Sequence, residues 1–111
     1  MLAESYTAVI ARGEDWVDGS TTEPYEASWA REAIIMVRTL ETGTLAAGAR
    51  AHVQMSLDGM RWVDEGTTLP MPQSTEQDSC ARIAHFGNWL RIVTELPADV
   101  ATKVLVTVHL K

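Results

Sequence analysis

Along the last nine residues the chain alternates, with Val104, Val106, Val108 and Leu110 on one parity and Lys103, Leu105, Thr107, His109 and Lys111 on the other. Successive side chains of a strand point to opposite faces, so this pattern predicts a half-buried strand with its valines inward. The same period recurs where Ala51, Val53, Met55 and Leu57 alternate with Arg50, His52, Gln54 and Ser56. That run stops at Asp58-Gly59. Glycine adopts positive φ without a Cβ clash, so the dipeptide predicts a hairpin turn, with Arg61-Trp62-Val63 as the returning strand. A further pair is expected from Cys80 to Phe86 and from Trp89 to Leu96, turning at Gly87-Asn88, with Leu90, Ile92 and Leu96 on one face. Pro97-Ala98-Asp99 then turns the chain into the valine strand.

The front half is less regular. Tyr6 to Ala11 reads as a strand, and Gly13 to Pro24 as a long loop carrying Trp16. Trp29 to Glu41 admits two readings. Trp29, Ala33, Val37 and Leu40 fall at helical spacing, yet Ile34-Ile35-Met36-Val37 is a short β-favouring run. The strand reading is preferred, because a domain otherwise made of strands needs pairing partners more than one helix.

Together these elements predict an all-β fold, an antiparallel β-sandwich of about seven or eight short strands with at most one short helix. Jelly-roll-like and immunoglobulin-like arrangements fit equally, although the cysteine pair common in immunoglobulin domains is absent. No repeat or proline-rich linker divides the chain, so residues 1–111 are expected to form a single domain with its long loop near 13–24.

Composition narrows the partners. The apolar and charged fractions, 46% and 22%, are those of a globular protein. The longest apolar run, Ala33 to Val37, is far short of the roughly 18 residues that a membrane-crossing helix needs, so no membrane partner is expected. The start of the chain has neither the basic residues nor the apolar core of a secretion signal, and the single cysteine, Cys80, forms no internal disulfide. A cytoplasmic setting is therefore expected, with Cys80 as a small buried hydrophobe. The net charge of −6 and the scattered basic residues argue against nucleic acid.

No nucleophile elbow, phosphate-binding loop or dinucleotide fingerprint occurs, so no enzyme activity, catalytic residue or cofactor is expected. His52, His85 and His109 have no ligand-like spacing. His52 and His109 could form a metal pair only on adjacent strands, and Asp58, Asp64 and Glu65 read better as a solvated turn than as a calcium loop, so no metal is expected. The aromatic residues are unusual: one phenylalanine accompanies four tryptophans. Trp62 and Trp89, placed just after turns, are expected to pack between sheets. Trp16, in its acidic loop, and Tyr25, just beyond it, are the interface candidates.

The segment Val53-Gln-Met-Ser-Leu-Asp-Gly-Met-Arg-Trp62 resembles a V-x-x-S-x-D-G-x-x-W stretch of small β-sandwich proteins from bacteriophage and prophage structural modules, of the head-decoration or tail accessory type. Gly87 to Ile92 and Lys103 to Leu110 look like the last two strands of such a protein, so the resemblance covers roughly residues 29–111. It implies a non-enzymatic structural protein that buries a surface against copies of itself or a larger scaffold, made in the host cytoplasm and carried into a virion or similar particle. The alternative is a carbohydrate-binding β-sandwich module that stacks sugars on exposed tryptophans.

Overall fold

A computed structural model describes residues 5–41, 49–97 and 100–111. The described residues form β1 (Tyr6–Trp16), β2 (Tyr25–Glu26), β3 (Glu32–Thr39), β4 (Arg50–Ser56), β5 (Val63–Pro70), β6 (Asp78–Ala84), β7 (Trp89–Glu95) and β8 (Thr102–Leu110). They make two four-stranded antiparallel sheets, ordered β1-β8-β3-β6 and β2-β7-β4-β5. Strands pair from the ends of the chain inward, β1 with β8, β2 with β7, β3 with β6 and β4 with β5. This is one long hairpin wrapped around a core, which makes the sandwich a jelly roll rather than an immunoglobulin-like domain. The run from Trp29 to Glu41 resolves as β3. None of the described residues forms a helix long and apolar enough to cross a membrane.

The alternation read from the sequence builds the core. Val104, Val106, Val108 and Leu110 of β8 are no more than 1% exposed, beside Ala33, Ile35 and Val37 of β3. From the second sheet, Ala51 and Val53, with Leu90 and Ile92, close the other side. Each large aliphatic side chain buried in this way contributes about 1.5–3 kcal/mol, so the two inner faces hold the sheets together. Thr39 and Thr102, buried in the same sandwich, satisfy each other through a 2.5 Å hydroxyl contact.

Four details differ from the sequence reading. The loop expected over 13–24 begins later, because β1 continues to Trp16, which pairs with Thr102 and is 2% exposed. The register slips between Val9 and Ala11 and between Arg12 and Glu14, with Gly13 at φ +64. An extra residue in a bulge reverses the parity that follows it. Ala11 and Trp16, five positions apart, therefore both face the core.

The β4–β5 connection is wider than a two-residue turn. β4 ends with Ser56 buried and Leu57 exposed, and Arg61 and Trp62 belong to the connection rather than to β5. The strands β6 and β7 do not pair. They lie in different sheets, so residues 85–88 form an arch between the layers, with His85 at φ +55. Cys80 is exposed rather than buried, because β6 turns Ser79 and Ile83 inward and leaves the intervening parity outside.

Candidate interaction surface

Three connections meet at one end of the sandwich: residues 27–31 before β3, residues 57–62 between β4 and β5, and the arch 85–88. Backbone and side-chain bonds tie them together. The Ala27 N–H donates to the Asn88 carbonyl at 2.7 Å, the Asn88 amide donates to the Leu57 carbonyl at 3.0 Å, and the His85 N–H donates to the Arg31 carbonyl at 3.3 Å.

The middle connection is held from within. One oxygen of Asp58 accepts the N–H groups of Met60 at 2.8 Å and Arg61 at 3.0 Å and the Ser56 hydroxyl at 3.0 Å, while Ser56 Oγ accepts the Gly59 N–H at 2.8 Å. The N–H groups of Arg61 and Met60, and then the Ser56 hydroxyl, hold the Asp58 carboxyl below its usual range. Gly59 sits at φ +80, and a Cβ there would lie 3.3 Å from the Trp89 ring. At Gly87 a Cβ would lie 2.9 Å from the Ser56 carbonyl oxygen and 3.1 Å from Leu57. Both glycines permit an approach that a larger residue would block.

This braced end presents apolar side chains to the outside. Leu57 is 76% exposed, Met60 80% and Trp29 42%, and the first residues of β1 and β5, Tyr6 and Val63, are each 56% exposed. Burying such groups against a partner is favourable in proportion to their area, and a scaffold already fixed in shape loses little entropy when it does so.

Of the two interface candidates read from the sequence, only Tyr25 lies here. It is half-buried in β2, packs against the core, and pairs with Leu90. Burial, followed by the nearby Tyr6 and Glu26, pushes its phenol above the usual value. Trp16 is covered by its own chain and has little surface left to offer. Trp29, Leu57 and Met60 were missed. The available signal was the pair of apolar residues flanking Asp58-Gly59, a turn sequence that ordinarily carries polar neighbours.

Trp62 and Trp89 lie outside the core instead of between the sheets. In β7 the inward parity belongs to Leu90, Ile92 and Thr94, which leaves Trp89 and Arg91 on the outer face. The Arg91 guanidinium stacks 4.3 Å from the Trp62 ring centroid and donates to Gln54 at 2.8 Å, and Gln54 donates to Asp64 at 3.0 Å. Farther along this face Glu95 contacts Arg50 at 2.6 Å and His52 at 2.8 Å. These two partners, Arg50 foremost, lower the Glu95 carboxyl to about 2.

The histidines are not brought together. His52 belongs to the sheet containing β4, whereas His109 is in the other sheet and contacts Thr7 Oγ1 at 2.8 Å. His85 lies in the arch. Asp58, Asp64 and Glu65 are also separately engaged, Glu65 by the Thr67 N–H at 3.0 Å. Among the described residues no group of three or more His, Cys, Asp or Glu side chains is placed to hold a metal ion.

No family model matches the chain, and no curated protein matches it. Among solved structures it is similar to a chain in the structure of infectious bursal disease virus, Gx strain, with a TM-score of 0.47 and 11% identity. The match covers 96% of this chain and 31% of that one, so the chain spans less than a third of its neighbour's length.

Proposed function

We propose that this protein is a non-enzymatic structural component of a phage or virion-like particle, a decoration or tail accessory protein, and that it seats its apolar end on a protein scaffold. The observation that carries the reading is the pairing of exposure with rigidity at Leu57 and Met60. They are 76% and 80% exposed, on a connection braced by Ser56 and Asp58. A turn that served only to join two strands would have no need of them.

The test is co-sedimentation with particles assembled from the structural proteins encoded beside the chain. The Leu57→Ser/Met60→Ser double variant should lose binding with its melting temperature unchanged, because neither side chain supports the core. Binding at the wild-type level would sink the proposal.

One observation favours the carbohydrate reading as the second. Trp29 is exposed, and Trp62 stands outside the core against Arg91. Jelly rolls serve lectins as well as capsids, so the fold does not choose between the two readings. A change in tryptophan fluorescence on adding glycans, lost in Trp29→Ala or Trp62→Ala, would favour the sugar module.

A further inference from the structure

Each sheet ends in two edge strands, and an edge strand offers unpaired N–H and C=O groups to any other strand. Three of the four edges are blunted. β1 carries two register breaks, β2 is only two residues long, and β5 has a register break, Gly66 at φ +110 and a terminal Pro70. The fourth edge, β6, pairs with β3 in unbroken register from Asp78 to Ala84 and contains no proline or glycine. Among the described residues no strand pairs with its other side.

The direction of its free groups follows from the register. Glu32 and Lys111 exchange backbone hydrogen bonds, so even-numbered residues of β3 bond toward β8 and odd-numbered ones toward β6. Ala33, Ile35 and Val37 therefore engage Ile83, Ala81 and Ser79. In an antiparallel ladder, alternate residues direct both backbone groups to opposite sides. Asp78, Cys80, Arg82 and Ala84 thus aim theirs away from the sheet, and all four residues are exposed.

We propose that this edge pairs with β6 of a second copy of the chain, antiparallel about a two-fold axis at Cys80, joining two four-stranded sheets into one of eight. This deepens the assembly reading by naming one partner, although it uses a different surface. Charge selects the register. With Cys80 opposite the partner's Cys80, Asp78 faces the partner's Arg82, and the two-fold repeats that ion pair in reverse. A register shifted to centre on Ala81 instead sets Arg82 against the partner's Cys80 and leaves both charges unmatched. Asp78 already contacts Arg38 at 3.3 Å, and its carboxylate can accept a second cation, while Arg82 has no ion-pair partner among the described residues. Opposite charges across paired strands are stabilising and like charges are not.

The same register gives the test. Directly opposed residues in a hydrogen-bonded antiparallel pair have Cα atoms about 5.5 Å apart, within the range that a disulfide spans. Diamide should therefore take two electrons and two protons from the paired Cys80 thiols, forming one S–S bond and its own hydrazine, and the full chain should run as a covalent dimer on a non-reducing gel. Asp78→Arg and Arg82→Asp should each slow this cross-linking by about tenfold, since each turns both ion pairs repulsive. The double variant Asp78→Arg/Arg82→Asp should recover the wild-type rate. If Asp78→Arg loses stability through Arg38, then Arg82→Asp and its rescue by the double variant still carry the comparison. Absence of a wild-type covalent dimer, or equal rates in all four proteins, would overturn the proposal. The Leu57→Ser/Met60→Ser variant should cross-link normally, so failure of scaffold binding and failure of β6 pairing are read separately.

Discussion

The two ends of the sandwich differ in how far they bury their apolar residues. At the end formed by 17–22, 71–77 and the residues that directly follow β7, Met71 and Leu96 are folded inward at 2% and 5% exposure, above the buried Trp16. The chain there is laced to β7: Gly19 and Thr22 donate to the carbonyls of Thr94 and Ile92 at 3.1 and 3.0 Å, and Asp18 accepts the Leu96 N–H at 3.0 Å. At the other end the connections are bonded to one another just as closely, yet Leu57, Met60 and Trp29 point outward. Both ends are ordered by hydrogen bonds. What separates them is degree: the first end folds its largest apolar side chains into the core and leaves Val17 and Leu40 at 51% and 41% exposure, whereas the second holds Leu57 and Met60 out at 76% and 80%.

The largest expected contrast follows from Trp16. Trp16→Ala should lower stability by about 3–5 kcal/mol, the usual cost of truncating a buried aromatic. Leu57→Ala should leave the melting temperature nearly unchanged. Thermal melts of the two variants side by side check this, and equal losses would erase the distinction between the ends.

A smaller effect should come from the bracing. Gly87→Ala forces a Cβ to within 2.9 Å of the Ser56 carbonyl oxygen, so the arch and the β4–β5 connection must separate. A destabilisation of about 1–3 kcal/mol is expected, the range for overpacking, together with faster amide exchange over 57–62. Unchanged exchange would show that the connection does not depend on the arch.

The parity of the strands was legible because burial imposes it. Val104, Val106, Val108 and Leu110, and Leu90 with Ile92, face inward as their alternation requires. The same parity puts Trp89 outside, opposite to Leu90, and so overrules the expectation that it packs between the sheets. Trp16 was not legible. Its orientation depends on the bulge around Gly13, and a strict period of two has no term for an inserted residue. Nor could a single sequence reveal that β6 and β7 lie in different sheets, because Gly87-Asn88 suits an arch as well as a hairpin. At the candidate surface, the S-x-D-G core of the braced connection was visible. Leu57 shares the parity of Ala51 and Val53, so alternation puts it on the dry face, and it escapes that face because the strand ends at Ser56.

The smallest effect is electrostatic and belongs to the outer face of the second sheet, beside the end that carries Leu96. Glu95 is held at about 2 in the folded chain, against an ordinary value of 4.5. A depressed carboxyl adds stability that is present above its unfolded value and is lost as pH falls through its folded one. Wild type should therefore lose stability relative to Glu95→Gln between pH 4.5 and about 2, with parallel curves above that window. Chemical denaturation across that range checks the sign, and parallel curves throughout would mean that Arg50 and His52 do not hold the carboxylate in solution.

Amide hydrogen exchange of the chain, free and seated on its particle, tests the central claim most directly. The account predicts new protection concentrated in 27–31, 57–62 and 85–88, with 17–22 and 71–77 exchanging as they do in the free chain. Protection confined to 17–22 and 71–77, with the apolar end unchanged, would contradict it.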